Sequence, residues 1–165
     1  MSSDRRILKL DASVPDSWRY PGEPATPTDP QVLLLAQLRT KAQAQEALPE
    51  HLGVLLAPAD AVEDLAPLLQ HLSLVVVDFP GFGEGRGFSQ GRLLRQRYRF
   101  TGELRARGTG VKQDKLLLLA RCGFDAFDLA AGEREAEARL GLSRYNVAYQ
   151  DGDPSPPLRR RRAQA

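Results

Sequence analysis

The stretch Leu74–Ser89, LVVVDFPGFGEGRGFS, constrains the fold more than any other part of this chain. Leucine and three valines run without interruption into Asp78. A short apolar run with no polar alternation suits a strand covered on both faces, as in the middle of a parallel sheet. Glycines at 81, 83, 85 and 87 follow, and then a sequence that opens a helix. Strand, glycine loop and helix together make one βα unit. In α/β sheets and barrels, ligands bind at the loop after such a strand.

The same alternation repeats along the chain. Arg6–Asp11 alternates apolar and charged residues and predicts a short strand. Residues 15–30 hold five prolines and predict an irregular segment lying on the surface, with Trp18 as the anchor that pins it. Asp29-Pro30 reads as a helix start, with Leu33, Leu34, Leu38 and Ala42 at helical spacing to about Glu46. Gly53–Ala57 predicts a buried strand. Asp60 and Glu63 have capping-box spacing ahead of a leucine-faced helix. Beyond the central strand, Ser89 is the expected cap of a helix to about Arg99. Glu103–Arg107 predicts a strand, Val111–Cys122 a helix stopped by Gly123, Phe124–Leu129 a strand and Glu133–Leu140 a helix stopped by Gly141. Tyr145–Tyr149 alternates like an edge strand.

These elements predict an α/β fold of about four successive βα units forming a mostly parallel sheet, either half-barrel-like or open and flavodoxin-like. The unreversed succession of units favours the half-barrel. Residues 1–150 read as a single domain. Residues 1–30 form its N-terminal strand and proline-rich segment, and residues 53–150 its βα core. Residues 151–165 read as a disordered, arginine-rich tail. A half-barrel leaves an apolar edge open, which makes a homodimer an expectation.

Composition narrows the chemistry. The chain has 165 residues, 42% hydrophobic and 27% charged, as ordinary globular proteins do. Of the net charge of +2, four positive charges are Arg159–Arg162, so the rest of the chain is net acidic. Cys122 is the only cysteine. It allows no internal disulfide and cannot supply the four thiolates of an iron–sulfur cluster. His51 and His71 have no metal-ligand spacing, and no metal site is expected. No apolar stretch has the length of a membrane span and the N-terminus lacks a secretion signal, so the expected location is cytoplasmic.

The glycine loop fits no register of the dinucleotide fingerprint G-x-G-x-x-G and lacks the Gly-Lys-Ser/Thr of a phosphate loop. Glycines ahead of a helix N-terminus still let backbone N–H groups approach an anion. One reading is therefore an oxyanion cradle with Arg86 as counter-charge; the other is a turn in which Arg86 pairs with Asp78 or Glu84. Arg105 and Arg107 alternate on one strand and so share a face. Asp114 falls in the first turn of the next helix, where the helix dipole favours a carboxylate. The candidate ligand-binding residues are Asp78, Gly83, Gly85, Arg86, Gly87, Ser89, Arg105 and Asp114, gathered at one rim of the sheet. Arg92, Arg95 and Arg99 share a helical face by spacing, as an anion or nucleic-acid surface or, more simply, a solvated face. Without an aromatic platform beside them, nucleic acid is the weaker reading. Cys122 at a helix C-terminus reads as a buried structural thiol.

Phe79-Pro80, Gly85-Arg86-Gly87-Phe88-Ser89, Arg92-Leu93-Leu94-Arg95, Gly102-Glu103-Leu104-Arg105-Ala106, Asp114 and Cys122-Gly123-Phe124-Asp125 also carry a family resemblance. In these pieces, and more loosely in Tyr145–Gln150, the chain resembles a bacterial family of unknown function. Members of that family are often labelled oxidoreductases of sulfite reduction. The family usually has Arg-Asp-Gln where this chain has Gln113-Asp114-Lys115. The resemblance implies a genomic setting beside assimilatory sulfite reductase, with the sulfite reductase haemoprotein as an expected partner. It carries over no catalytic residues. No cofactor motif is evident, and a flavin stays compatible because flavodoxin-like sheets hold it by loop shape.

The expected function is thus that of an accessory protein of sulfur assimilation, associated with sulfite reduction and acting by binding a partner or a small oxyanion. The alternative is an enzyme binding an oxyanion, nucleotide or flavin at the glycine-rich loop.

Overall fold

The computed structural model describes residues 5–81 and 83–144. The predicted edge strand at 145–149 and the tail lie outside the described residues. The chain forms β1 (Arg6–Lys9), β2 (Ser13–Pro15), β3 (Gln31–Leu34), α1 (Leu35–Gln43), β4 (Leu52–Leu56), α2 (Val62–Leu65), β5 (Leu74–Asp78), α3 (Arg86–Gln96), β6 (Glu103–Arg107), α4 (Leu116–Arg121), β7 (Ala126–Phe127) and α5 (Glu135–Arg144). Single 3-10 segments, Ala66–His71 and Gln113–Lys115, extend α2 and lead into α4.

The seven strands of the described residues belong to one sheet, in the order β2-β1-β7-β6-β5-β4-β3. From β3 to β7 each strand pairs in parallel with the next, while β1 runs antiparallel to both β7 and β2. The parallel part is therefore unreversed, as expected of successive barrel units, and has no switch point of the flavodoxin kind. Right-handed crossovers that all step in one direction leave every helix on the same face. The main core sits there: Val54, Leu56, Val75, Val77, Leu104, Ala106 and Phe127 of the sheet pack against Leu38, Leu65, Leu94, Leu119 and Ala138 of the helices.

The other face needs a different cover, and the proline-rich segment supplies it. Leu74 and Val76 lie under Tyr20 and Val32, with Trp18 and Leu55 at the margin. A Cβ on Gly53 would sit 3.2 Å from the Trp18 ring, so this glycine makes room for the anchor. Arg19 forms a parallel bridge to Gln31 and so carries the segment alongside the edge strand β3. The expected role of Trp18 as a pin is borne out. The face it covers is only partly apolar, which leads to the polar site.

Several boundaries differ from the expectations. Asp29 does not cap a helix: its carboxylate accepts from the backbone N–H of Thr26, at 2.7 Å, and from its hydroxyl. Residues 31–34 extend to pair with β4, and α1 starts only at Leu35. Strand pairing thus overrides a good local start signal. Asp60 likewise accepts from the backbone N–H of Ala57 at 2.8 Å instead of joining a capping box. Helix α3 begins at Arg86, so Ser89 is inside it and caps nothing. Phe124–Leu129 contributes only Ala126–Phe127 to the sheet. Gly141 does not stop α5, which runs on to Arg144. Gly123 does end its helix, with φ of +104°.

Candidate functional site

The face opposite the helices carries a line of charged side chains. On β6 the alternation that buries Leu104 and Ala106 toward the helices turns Glu103, Arg105 and Arg107 the other way. Register then decides their neighbours. Asp78 stands opposite Arg107 across β5 and β6. Phe127 stands opposite Ala106, and the Asp128 N–H donates to the Ala106 carbonyl at 2.8 Å, so Asp128 flanks Arg107 from the other side. Asp78, Arg107 and Asp128 thus form a row across the C-terminal ends of three adjacent parallel strands.

Arg105 and Arg107 are two residues apart and differ in what they do. The Arg105 side chain is 3% exposed and each of its three guanidinium nitrogens donates a hydrogen bond. Nε and Nη2 donate to Glu103 Oε1 at 2.9 and 2.6 Å; Nη1 donates to Asp16 Oδ1 at 2.9 Å and to the Tyr20 hydroxyl at 2.7 Å. Lys9 pairs with the second carboxylate oxygen of Glu103, and Arg5 with Asp16 and Glu23. A buried cation that donates from every nitrogen is a structural element: it ties the proline-rich segment to β6. Burial works against its charge, and Tyr20, Glu103 and Asp16 around it hold the guanidinium protonated.

Arg107 is 30% exposed in its side chain and among the described residues has one ion pair, Nε to Asp128 Oδ2 at 3.6 Å. That separation is too long for a hydrogen bond. Among the described residues its guanidinium donates no hydrogen bond. It stacks on the Tyr20 ring, with Cζ 3.8 Å from the ring centroid. Burial, the largest influence on Tyr20, pushes its phenol up to about 12, so the ring is a neutral platform at physiological pH. Burial likewise raises the carboxyls of Asp78 and Asp128 above the usual carboxylate range, with Arg107 pulling both back. A pre-oriented guanidinium with unmade donors, beside two partly buried carboxyls at the C-terminal rim, has the form of a ligand site.

The loops at this rim are fixed by close backbone approach. A Cβ on Gly108 would lie 2.4 Å from the Phe79 carbonyl oxygen and 3.0 Å from Asp78 Oδ1, and the residue has φ of +119°. The N–H of Gly110 donates to the Phe79 carbonyl at 2.9 Å, and the Thr109 hydroxyl to that of Pro80 at 2.6 Å.

The other sequence candidates lie elsewhere. Gly83, Gly85 and Arg86 are exposed. At the α3 N-terminus the Arg86 N–H donates to Glu84 Oε1 at 3.0 Å, so the chain's own carboxylate takes the position an anion would have there. Gly87 is a packing residue, with its Cα close under Phe79: a Cβ would come within 2.5 Å of that ring. Ser89 lines an open groove of about 220 Å³ with Phe88, Arg92, Leu118 and Cys122. Asp114 is exposed in the 3-10 segment before α4. The expected Asp78–Arg86–Arg105–Asp114 rim therefore splits: Asp78 and Arg105 share the face opposite the helices, and Arg86 and Asp114 do not join them. Nor do Arg92, Arg95 and Arg99 form one basic stripe. Helix α3 stops at Gln96, and Arg95 turns inward to the carbonyls of Phe100, Gly102 and Gly123 and to Asp125.

Asp128 and Tyr20 escaped the sequence reading. Asp128 follows the short strand β7 by one residue, and only the register shows that it reaches Arg107. Tyr20 comes from a segment whose path over the sheet no local pattern encodes. Among the described residues, no group of three or more His, Cys, Asp or Glu side chains is placed to hold a metal ion.

Residues 53–158 match the family described as "Bacterial protein of unknown function (DUF934)", about two thirds of the chain. The chain belongs to the DUF934 family. The match contains Asp78, Arg105, Arg107 and Asp128; it begins after the segment that brings Asp16 and Tyr20 to this DUF934 sheet. No curated protein matches the chain. Among the described residues no helix is long and apolar enough to cross a membrane.

Proposed function

We propose that this protein is an oxyanion-binding accessory protein of sulfur assimilation, with its site at Arg107. The observation that carries the reading is the contrast on β6. Arg105 donates from all three of its guanidinium nitrogens, whereas Arg107 is stacked, half-buried and makes no hydrogen bond among the described residues. Leaving a partly desolvated guanidinium short of acceptors is unfavourable, and a planar oxyanion edge answers its donor fork. The sulfur context rests on the family resemblance in the sequence; sulfite, itself a small oxyanion, is the ligand that joins the two lines of support.

We place the proposed site away from the glycine-rich loop, because the Glu84 carboxylate already accepts from the Arg86 N–H at the helix N-terminus there. The role proposed is delivery or retention of the anion for a sulfite-reducing partner. Titration calorimetry with sulfite tests it. Wild type should bind, Arg107→Ala should lose at least tenfold in affinity, and Arg86→Ala should bind as wild type does. Binding that survives Arg107→Ala, or that Arg86→Ala removes, refutes the location.

A further inference from the structure

Beyond binding an oxyanion, the row at the rim speaks to which oxyanion. We infer that Asp78 and Asp128 make the Arg107 site selective for an oxyanion that still carries a proton near neutral pH, such as hydrogensulfite or hydrogenphosphate, over fully ionised sulfate. This inference rests on the reading of Arg107 as an anion site and adds the ligand's protonation state.

Asp78 is opposite Arg107 in register, and Asp128 Oδ2 lies 3.6 Å from Arg107 Nε. An ionised carboxylate only accepts hydrogen bonds. Among the described residues no side chain donates a hydrogen bond to either carboxyl; at Asp78 the backbone N–H of Phe79 takes up part of the accepting capacity. An anion drawn to Arg107 therefore meets acceptors on both sides. Sulfate has only acceptor oxygens at neutral pH and meets unrelieved like charge. An oxyanion that retains an O–H gives that proton to a carboxylate while its bare oxygens accept from the guanidinium. A site built to receive a ligand hydroxyl rejects an analogue without one far more strongly than an apolar pocket rejects a change of size.

The charged groups facing the two carboxyls are few. Arg107 faces Asp78. Arg107, Arg5, Asp16 and Arg105 face Asp128. Arg5, Asp16 and Arg105 are held in their own ion pairs. The charge that varies with ligand and pH is thus that of the two rim carboxyls. As pH falls they take up protons and become donors, and the discrimination against sulfate should fade.

The experiment is a set of titrations of the full chain with inorganic phosphate, sulfite and sulfate, for wild type, Asp78→Asn and Asp128→Asn. Wild type at neutral pH should bind phosphate and sulfite at least about tenfold more tightly than sulfate. Either asparagine variant, which presents an amide donor, should bind sulfate more tightly and phosphate less tightly than wild type does. In wild type alone, sulfate affinity should rise as pH is lowered, a readout that stands even if a variant does not fold. Equal affinity for the three anions at neutral pH, with no change in the variants, overturns the selectivity and leaves Arg107 binding intact. Absence of binding by all three anions, in wild type and variants, overturns the anion site itself and the selectivity with it.

Discussion

Replacing Arg105 by Met should unbalance the sheet face opposite the helices. The substitution keeps an unbranched stem of similar reach and removes all the polar atoms. It deletes four hydrogen bonds and ion pairs of 2.9 Å to Asp16 and 2.6 Å to Glu103. The Asp16 side chain is 1% exposed, so its carboxylate is left buried with Arg5 at 3.4 Å as its remaining ion pair. Removing one partner of a buried pair costs about 3–5 kcal/mol, because the other charge stays desolvated. Against a typical domain stability of about 5–15 kcal/mol this is a large fraction. At a urea slope of about 2 kcal/mol/M, the unfolding midpoint should fall by roughly 2 M. Arg107→Met, two residues along the same strand, removes one long ion pair and a stacking contact and should cost only about 1 kcal/mol. Urea unfolding followed by Trp18 fluorescence and by far-ultraviolet circular dichroism measures both. Adding Asp16→Asn to Arg105→Met should recover part of the loss, a coupling that a double-mutant cycle reads directly. Equal costs for the two arginines, or no coupling with Asp16, would refute the assignment of Arg105 to structure and Arg107 to binding.

Further expectations follow from the same geometry. Gly91→Ala places a Cβ 2.4 Å from the Phe124 ring and should destabilise by about 1–3 kcal/mol in urea unfolding. Burial raises Asp128 above the ordinary carboxylate range, so its protonation favours the folded state; that contribution is present below the unfolded value and lost as pH rises through the folded one. Stability measured against pH should therefore show Asp128→Asn gaining on wild type as pH rises through that window. Glu23, where burial is opposed by hydrogen bonds from Arg5 and the Tyr20 N–H, is lowered on balance, and its contribution should be lost as pH falls. Burial raises the Cys122 thiol, so labelling by a thiol reagent at neutral pH should be slow in the folded protein and fast in urea.

The parts of the fold that could be read from sequence are those where local pattern and tertiary environment agree. Val75–Val77 is apolar without alternation because β5 is covered by helices on one face and by residues 18–32 on the other. Glu103–Arg107 alternates because its polar members face the charged side, and its boundaries match the expectation. Disagreement arises where tertiary pairing outcompetes a local signal, as at Asp29-Pro30, where strand β3 takes the residues a helix would have used. At the site, the sequence placed Arg105 and Arg107 on one face but could not rank them. Their difference comes from Asp16 and Tyr20, which lie 89 and 85 positions from Arg105 and reach it only through the course of the proline-rich segment. The glycine loop stands out in the sequence only by its composition, with glycines at 81, 83, 85 and 87. Glu84, sitting two residues ahead of Arg86, gives that loop a closed local role.

The measurement that bears most directly on the central claim is a backbone amide chemical-shift titration of the isotope-labelled protein with sulfite at neutral pH. The account predicts saturable shifts centred on Asp78–Phe79, Arg107–Gly110 and Asp128, with Tyr20 following and Gly83–Ser89 unmoved. Shifts centred on Gly83–Ser89, or none that saturate, would contradict it.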